Sequence, residues 1–331
     1  MPEPYDRHMS ERLRLPALIA WSVVAVVGAN LVFAQAPDAA GSIGLGGLAL
    51  VLATLTAGLR AGAIASIVMG ILGGIAIAGG DSVVIQVLVM VLAAAGLGLT
   101  ARWNWNRGFI LLPVTLAFVA AESPAQEPLQ TGVAFAVAMT GYVLLATLGT
   151  AVLRGRHHEG AQARPTSSWS RTVGYAVVLA IAAVATTTIA VGLNWGHTGG
   201  WLIMTPFIVI SPYVQDGWRK AINRAIGTVG GFAIASALAF TLGSGPALST
   251  TGVAFAVLAA VALVKQWHYA IYAMCLTPAI VILESIGRPV EQTADNRLLA
   301  TVLGVGIALA VMAVAVPTYR RTAKEAGIDH Y

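Results

Sequence analysis

Arginine carries the most chemical meaning in this sequence. Arg224, Arg60 and Arg297 each stand at the edge of a long apolar run, where a cation is unfavourable unless it faces water, a partner or an anion. Fixed positive charges so placed would draw a carboxylate into a central route. The bland alternative for Arg224 and Arg60 is snorkelling to the interface, and for Arg297 a salt bridge to Asp295, Glu291 or Glu284. Arg224 and Arg297 begin runs of opposite direction, so an arginine is expected at each end of one pathway. Trp201, Thr205 and Pro206 sit in the apolar run before Arg224, and Thr228 lies four residues after it. A proline break frees backbone groups to meet a ligand, and an indole offers a face on which an aryl acid could stack.

Proton exchange has its own candidates. Glu122 and Glu284 end matching segments in the two halves of the chain, and a carboxyl partly withdrawn from water holds its proton more tightly. Their plain reading is two interfacial carboxylates capped by water. His197 precedes the Trp201 run, and imidazole is the side chain that changes charge near neutral pH. It reads equally as an exposed loop histidine. Trp195, Trp218 and Trp267 fall at run ends, where interfacial aromatics belong. Gly70, Gly73 and Gly74, like Gly227, Gly230 and Gly231, allow helices to approach closely.

The elements that must position these residues are apolar helices. Of the 331 residues, 57% are hydrophobic and 10% charged, against about 25% charged in a soluble domain. Apolar runs lie at 16–34, 43–58, 61–79, 83–100, 108–122 and 130–153, then at 172–192, 199–213, 221–242, 249–264, 268–285 and 295–316. The predicted fold is all-α and polytopic, with about twelve transmembrane helices. The charged stretch Asp216 to Arg224 reads as an elbow between two of them. With the N-terminus inside, the alternate loops collect every one of the 19 basic residues except Arg288 and Arg297, which places both termini in the cytoplasm. The predicted order is a cytoplasmic segment 1–15, a membrane half 16–153, a basic linker 154–171, a second membrane half 172–316 and a tail 317–331. Six runs per half make the halves parallel repeats, the first a degenerate copy.

Absences narrow the chemistry. The sequence contains no G-x-x-x-x-G-K-[ST], no H-E-x-x-H and no G-x-S-x-G, so no P-loop, zincin or nucleophile-elbow chemistry is expected. No cofactor and no metal is expected either: His157, His158 and Glu159 are adjacent in a solvated linker, where side chains do not converge on an ion. Cys275 is the one cysteine and reads as a small buried hydrophobe. The first apolar run lacks an A-x-A exit and reads as a span rather than a cleaved leader. The net charge of +5 is explained by topology, so no nucleic-acid partner is expected.

Three stretches of the second half carry a resemblance. They are Trp201 to Pro212 followed by Arg219, Arg224 and the Gly227–Gly231 cluster; HYAIYAMCLTPAIVILE from His268; and DNRLLATVLGVGIA from Asp295. Together, over roughly 171–316, this half resembles the fusaric acid resistance-like family, which includes aromatic acid exporters and is distantly similar to the plant aluminium-activated malate transporters. The resemblance implies a plasma-membrane (bacterial inner-membrane) exporter of aromatic or other small organic carboxylates, with a non-enzymatic mechanism. An organic-anion channel stands beside that reading. Outside the class stand a membrane scaffold and a cofactor-free membrane enzyme. Expected partners are a small organic anion and the lipid bilayer. A homodimer and a fused pair acting alone are both left open. Many bacterial relatives carry sizeable cytoplasmic domains, for which this linker and tail offer little room.

Overall fold

Runs of Ala, Leu, Ile and Val form helices here because an apolar surrounding leaves each backbone N–H little to bond except its own helix. The computed structural model of the chain describes, besides a few positions from 46 to 54, residues 57–103, 105–121, 127–137, 139–141, 168–212, 214–243, 246–264, 267–284 and 290–325. The elements among them are α1 (Leu59–Gly79), α2 (Val83–Thr100), a 3₁₀ turn (Ala101–Trp103), α3 (Asn106–Phe109), α4 (Leu111–Ala121) and α5 (Trp169–Gly192). They continue with α6 (His197–Val209), α7 (Val214–Leu242), α8 (Pro246–Val264), α9 (Tyr269–Glu284) and α10 (Val290–Glu325). Five stretches among the described residues are long and apolar enough to cross a membrane: Arg60–Gly79, Val83–Trp103, Trp169–Gly192, Trp218–Leu242 and Asp295–Ala315. The chain is an all-α, multi-pass membrane protein. The segment 1–15, Glu122 and most of the linker, with His157, His158 and Glu159, lie outside the described residues.

The chain forms two compact units, one reaching Gly196 and the other beginning at His197. In the first, α5 packs along α2, with Gly98 directly against Ala176. Small residues line this seam: Ala93, Ala94 and Gly98 of α2 and Ala182 and Ala183 of α5 are all buried. At the end of this pair the Arg102 guanidinium lies 4.4 Å over the Trp169 ring. Gln86 closes the turn between α1 and α2, its amide nitrogen donating to the Ala76 and Gly80 carbonyls at 2.7 and 2.8 Å.

The second unit is assembled from two close helix pairs. On α7 and α9 the contacts advance together: Gly227 meets Ala273, and Gly231 meets Thr277 and Pro278, so these helices run parallel. The same holds for α6 and α10, where Arg297 meets Trp201 and Gly304 meets Thr205. A Cβ at Gly227 would lie 2.5 Å from Ala273 Cβ, and one at Gly231 would lie 2.6 Å from Thr277 Cβ and 3.0 Å from the Met274 carbonyl. Backbone cannot yield as a flexible side chain does, so both positions need glycine. Farther along, Ala235, Leu248, Val281 and Ile282 form a buried cluster under Phe232 and Leu238.

Two expectations change. The charged stretch from Asp216 to Arg224 is not an elbow: α7 begins at Val214 and contains it. Arg219, Lys220, Ala221 and Arg224 are good helix formers and offset Asp216, Gly217 and Asn223, and the chain turns earlier, at Pro212. Pro206 does not break its run but lies inside α6.

Gly231→Ala should lower the thermal midpoint of the detergent-purified protein, at a cost of about 1–3 kcal/mol for overpacking. Gly306→Ala is the contrast, since a Cβ there meets nothing within 4 Å; better helix propensity should leave it neutral or stabilised by up to ~1 kcal/mol. Equal midpoints for the two variants would show that the α7–α9 seam has slack.

Candidate functional site

Helix α6 has 13 residues and buries ten of them: Gly199 to Phe207, and Val209. A helix buried all round faces protein rather than lipid, so its polar groups address other helices. Thr205 and Pro206 are among the buried ones. The Thr205 hydroxyl donates to the Trp201 carbonyl at 2.7 Å. Pro206 lacks the N–H that the Leu202 carbonyl would otherwise accept, and Gly304 of α10 packs beside that carbonyl, where a Cβ would lie 3.1 Å away. This close approach of α10 brings Arg297, two turns earlier on the same face, onto the ring of Trp201.

The Arg297 guanidinium carbon sits 3.7 Å from the Trp201 ring centroid. Arg297 is 3% exposed and Trp201 8%. Arg224, inside α7 rather than at its mouth, is 4% exposed. Both guanidinium charges act on the hydroxyl of Tyr272 on α9. Arg224 and Arg297 are thus both buried and both within electrostatic reach of one tyrosine. Tyr269 stands one turn before Tyr272, ring centroids 6.0 Å apart. Thr228 is buried one turn after Arg224, and Thr301 one turn after Arg297.

The hydrogen-bond inventory of this neighbourhood is lopsided. Arg224 Nε, the Tyr269 hydroxyl and Thr301 Oγ1 are buried and have no hydrogen-bond partner among the described residues. Buried polar groups are ordinarily paired, and Thr205 and Thr277 on the neighbouring helices do bond back to their own backbone. The three orphans are all able to donate. Donors of this kind are complementary to an acceptor-rich, negatively charged group.

The remaining candidates lie apart. Arg60 is exposed at the start of α1 in the first unit. His197 is exposed at the start of α6, its ring meeting that of Trp201 edge-on at 6.1 Å. Glu284 ends α9, with its side chain outside the described residues, as is Glu122. Asp295 is exposed. Among the described residues no three His, Cys, Asp or Glu side chains converge as a metal site would need. Tyr269, Tyr272 and Thr301 were not anticipated from the sequence. One signal was there to read, because Trp201–Thr205, Arg224–Thr228 and Arg297–Thr301 repeat one i, i+4 spacing on three helices, and such pairs share a helix face.

Residues 179–311 match the family model described as fusaric acid resistance protein-like. Every residue of the buried cluster falls inside that stretch. No curated protein and no solved structure matches the chain. The family match points to a membrane transporter of the efflux type.

A buried cation with an orphaned Nε weakens the fold that holds it, since replacing buried charges with apolar groups of similar volume is often neutral or stabilising. Arg224→Met should therefore leave the thermal midpoint of the empty protein unchanged or raise it by a few degrees. A fall of several degrees would show that Arg224 is held by bonds the fold needs.

Proposed function

We propose that this chain exports small organic carboxylates, aromatic acids among them, across a bacterial-type plasma membrane, and that the buried cluster of the second unit is its anion site. The observation that carries this reading is the burial of two arginines, Arg224 and Arg297, on neighbouring helices of an apolar bundle, both within electrostatic reach of Tyr272. A guanidinium forms its strongest bonds with carboxylate, forked and charge-assisted. Low surrounding polarity strengthens that attraction and so offsets the water an anion must shed on entry.

The parts take distinct roles. Arg224 and Arg297 supply charge and N–H donors; Tyr269, Thr301 and Thr228 supply neutral hydroxyls around them. Pro206 and Thr205 shape α6 so that α10 can approach it. Arg60, exposed in the first unit, fits early attraction of the anion rather than binding. His197, whose ring meets that of Trp201, is one proton-exchange candidate, with Glu284 and Glu122 as alternatives. Transport by exchange of open sides, rather than catalysis, suits a cluster with no nucleophile–base pair.

Efflux of labelled 4-hydroxybenzoate and of labelled butyrate from proteoliposomes, with and without a pH gradient, tests the reading. Wild-type protein should carry at least one of them, and Arg224→Gln or Arg297→Gln should lower the rate by about tenfold or more, since each removes a charge-assisted bond. Dependence on the gradient would mark a proton-coupled exporter, and voltage-driven flux without it a channel. Equal rates in all three folded proteins would remove these arginines from the pathway.

A further inference from the structure

We infer that Trp201 is a positioning residue for Arg297 and not the surface on which an aryl substrate stacks. The inference rests on the anion-site reading above. At 3.7 Å from ring centroid to guanidinium carbon, the two groups are in contact and no third plane fits between them. The rest of the indole is covered as well: the residue is 8% exposed, and His197 meets the ring from its edge. An aromatic acid finds no open face there.

What the ring does for the arginine follows from the chemistry of the contact. A π face attracts a cation through its quadrupole and accepts charge density face-on. The N–H groups of guanidinium lie in its own plane and point elsewhere. Stacking therefore fixes where Arg297 points without using its in-plane N–H groups. An acidic side chain in place of the indole would hold the arginine too, but it would take two N–H groups and cancel the charge. The platform is itself anchored. The Thr205 hydroxyl bonds the Trp201 carbonyl at 2.7 Å, and Gly304 keeps α10 close enough for Arg297 to reach the ring.

Two consequences distinguish a platform from an aryl clamp. Loss of the ring should affect aliphatic and aromatic carboxylates alike, because the damage passes through Arg297. Loss of the ring should also matter little once the guanidinium is gone, because a lysine ammonium keeps the charge but not the flat stack.

Calorimetric titration of the purified full chain with 4-hydroxybenzoate and with butyrate tests both. Trp201→Leu should weaken both acids by a similar factor, about three- to thirtyfold from the usual range of cation–π strengths. Trp201→Phe, which keeps a π face, should stay within about threefold of wild type. In an Arg297→Lys background, Trp201→Leu should add less than about twofold, the non-additivity of a coupled pair. A loss confined to 4-hydroxybenzoate would overturn the inference in favour of an aryl clamp. An undiminished loss in the lysine background would overturn it in favour of general packing. Should Trp201→Leu fail to fold, Arg297→Lys alone must weaken both acids to a similar degree, and weakening of one only overturns the inference. Wild-type protein that binds neither acid sinks the anion-site reading, and this inference falls with it.

Discussion

A guanidinium carried into an apolar helix bundle has lost its water and must be compensated by something that reaches it there. In the second unit the indole of Trp201 takes part of that role for Arg297, face to plane at 3.7 Å. Much of the local architecture answers to this contact. The ring must come from a helix surrounded by protein, which is why α6 is buried on nearly every side. The arginine must come from a helix able to lie against it, which requires Gly304 where α10 crosses Thr205. Arg224 then enters from α7 beside the same Tyr272. Two like charges concentrated in one apolar place are unfavourable in an empty bundle, and packing elsewhere in the unit has to carry that burden.

Proline and glycine meet across both helix pairs. In α9, Pro278 leaves the Met274 carbonyl without its usual N–H, and Gly231 of α7 packs beside that carbonyl. In α6, Pro206 does the same to the Leu202 carbonyl, and Gly304 of α10 packs beside it. A kinked or loosened turn needs room on its neighbour, and a residue without a Cβ provides it. Helix association in lipid relies on such close packing because no hydrophobic force separates one apolar helix from the tails around it. The seams thus do two things at once: they hold the pairs together and set the height of one helix along the other.

The helices themselves were legible in the sequence because a bilayer imposes length and apolarity on every span. The run at 83–100 became α2 without change, and that at 172–192 lies within α5. Charge at Asp216–Arg224 suggests a turn, but Arg219, Lys220, Ala221 and Arg224 favour helix strongly enough to carry Asp216, Gly217 and Asn223 within α7. Arg224, Arg297, Trp201, Thr205 and Thr228 stood out by type and position, and each of them is buried in the second unit. Their mutual arrangement did not stand out. It depends on which helices run parallel and at what relative height, and those are set by glycine contacts that a one-dimensional reading does not order. Tyr269, Tyr272 and Thr301 stayed hidden for the same reason, since tyrosine and threonine are ordinary in apolar helices until an arginine is known to lie opposite. The likeness between Arg60 and Arg224 shows the reverse case: similar local sequence, one side chain exposed and the other enclosed.

The shortness of α6 has a consequence for how the protein is made. Its 13 residues rise about 20 Å at 1.5 Å each, less than the ~30 Å hydrocarbon thickness of a bilayer. Such a segment is a poor membrane anchor by itself and has little reason to stay inserted alone. Its main packing partner is α10, which leaves the ribosome only after α7, α8 and α9 have been synthesised. Through that interval the contacts that α10 makes with Trp201 and Thr205 cannot yet form. Completion of the second unit is thus tied to the arrival of a single late helix, and the same event that buries α6 delivers Arg297 to its ring.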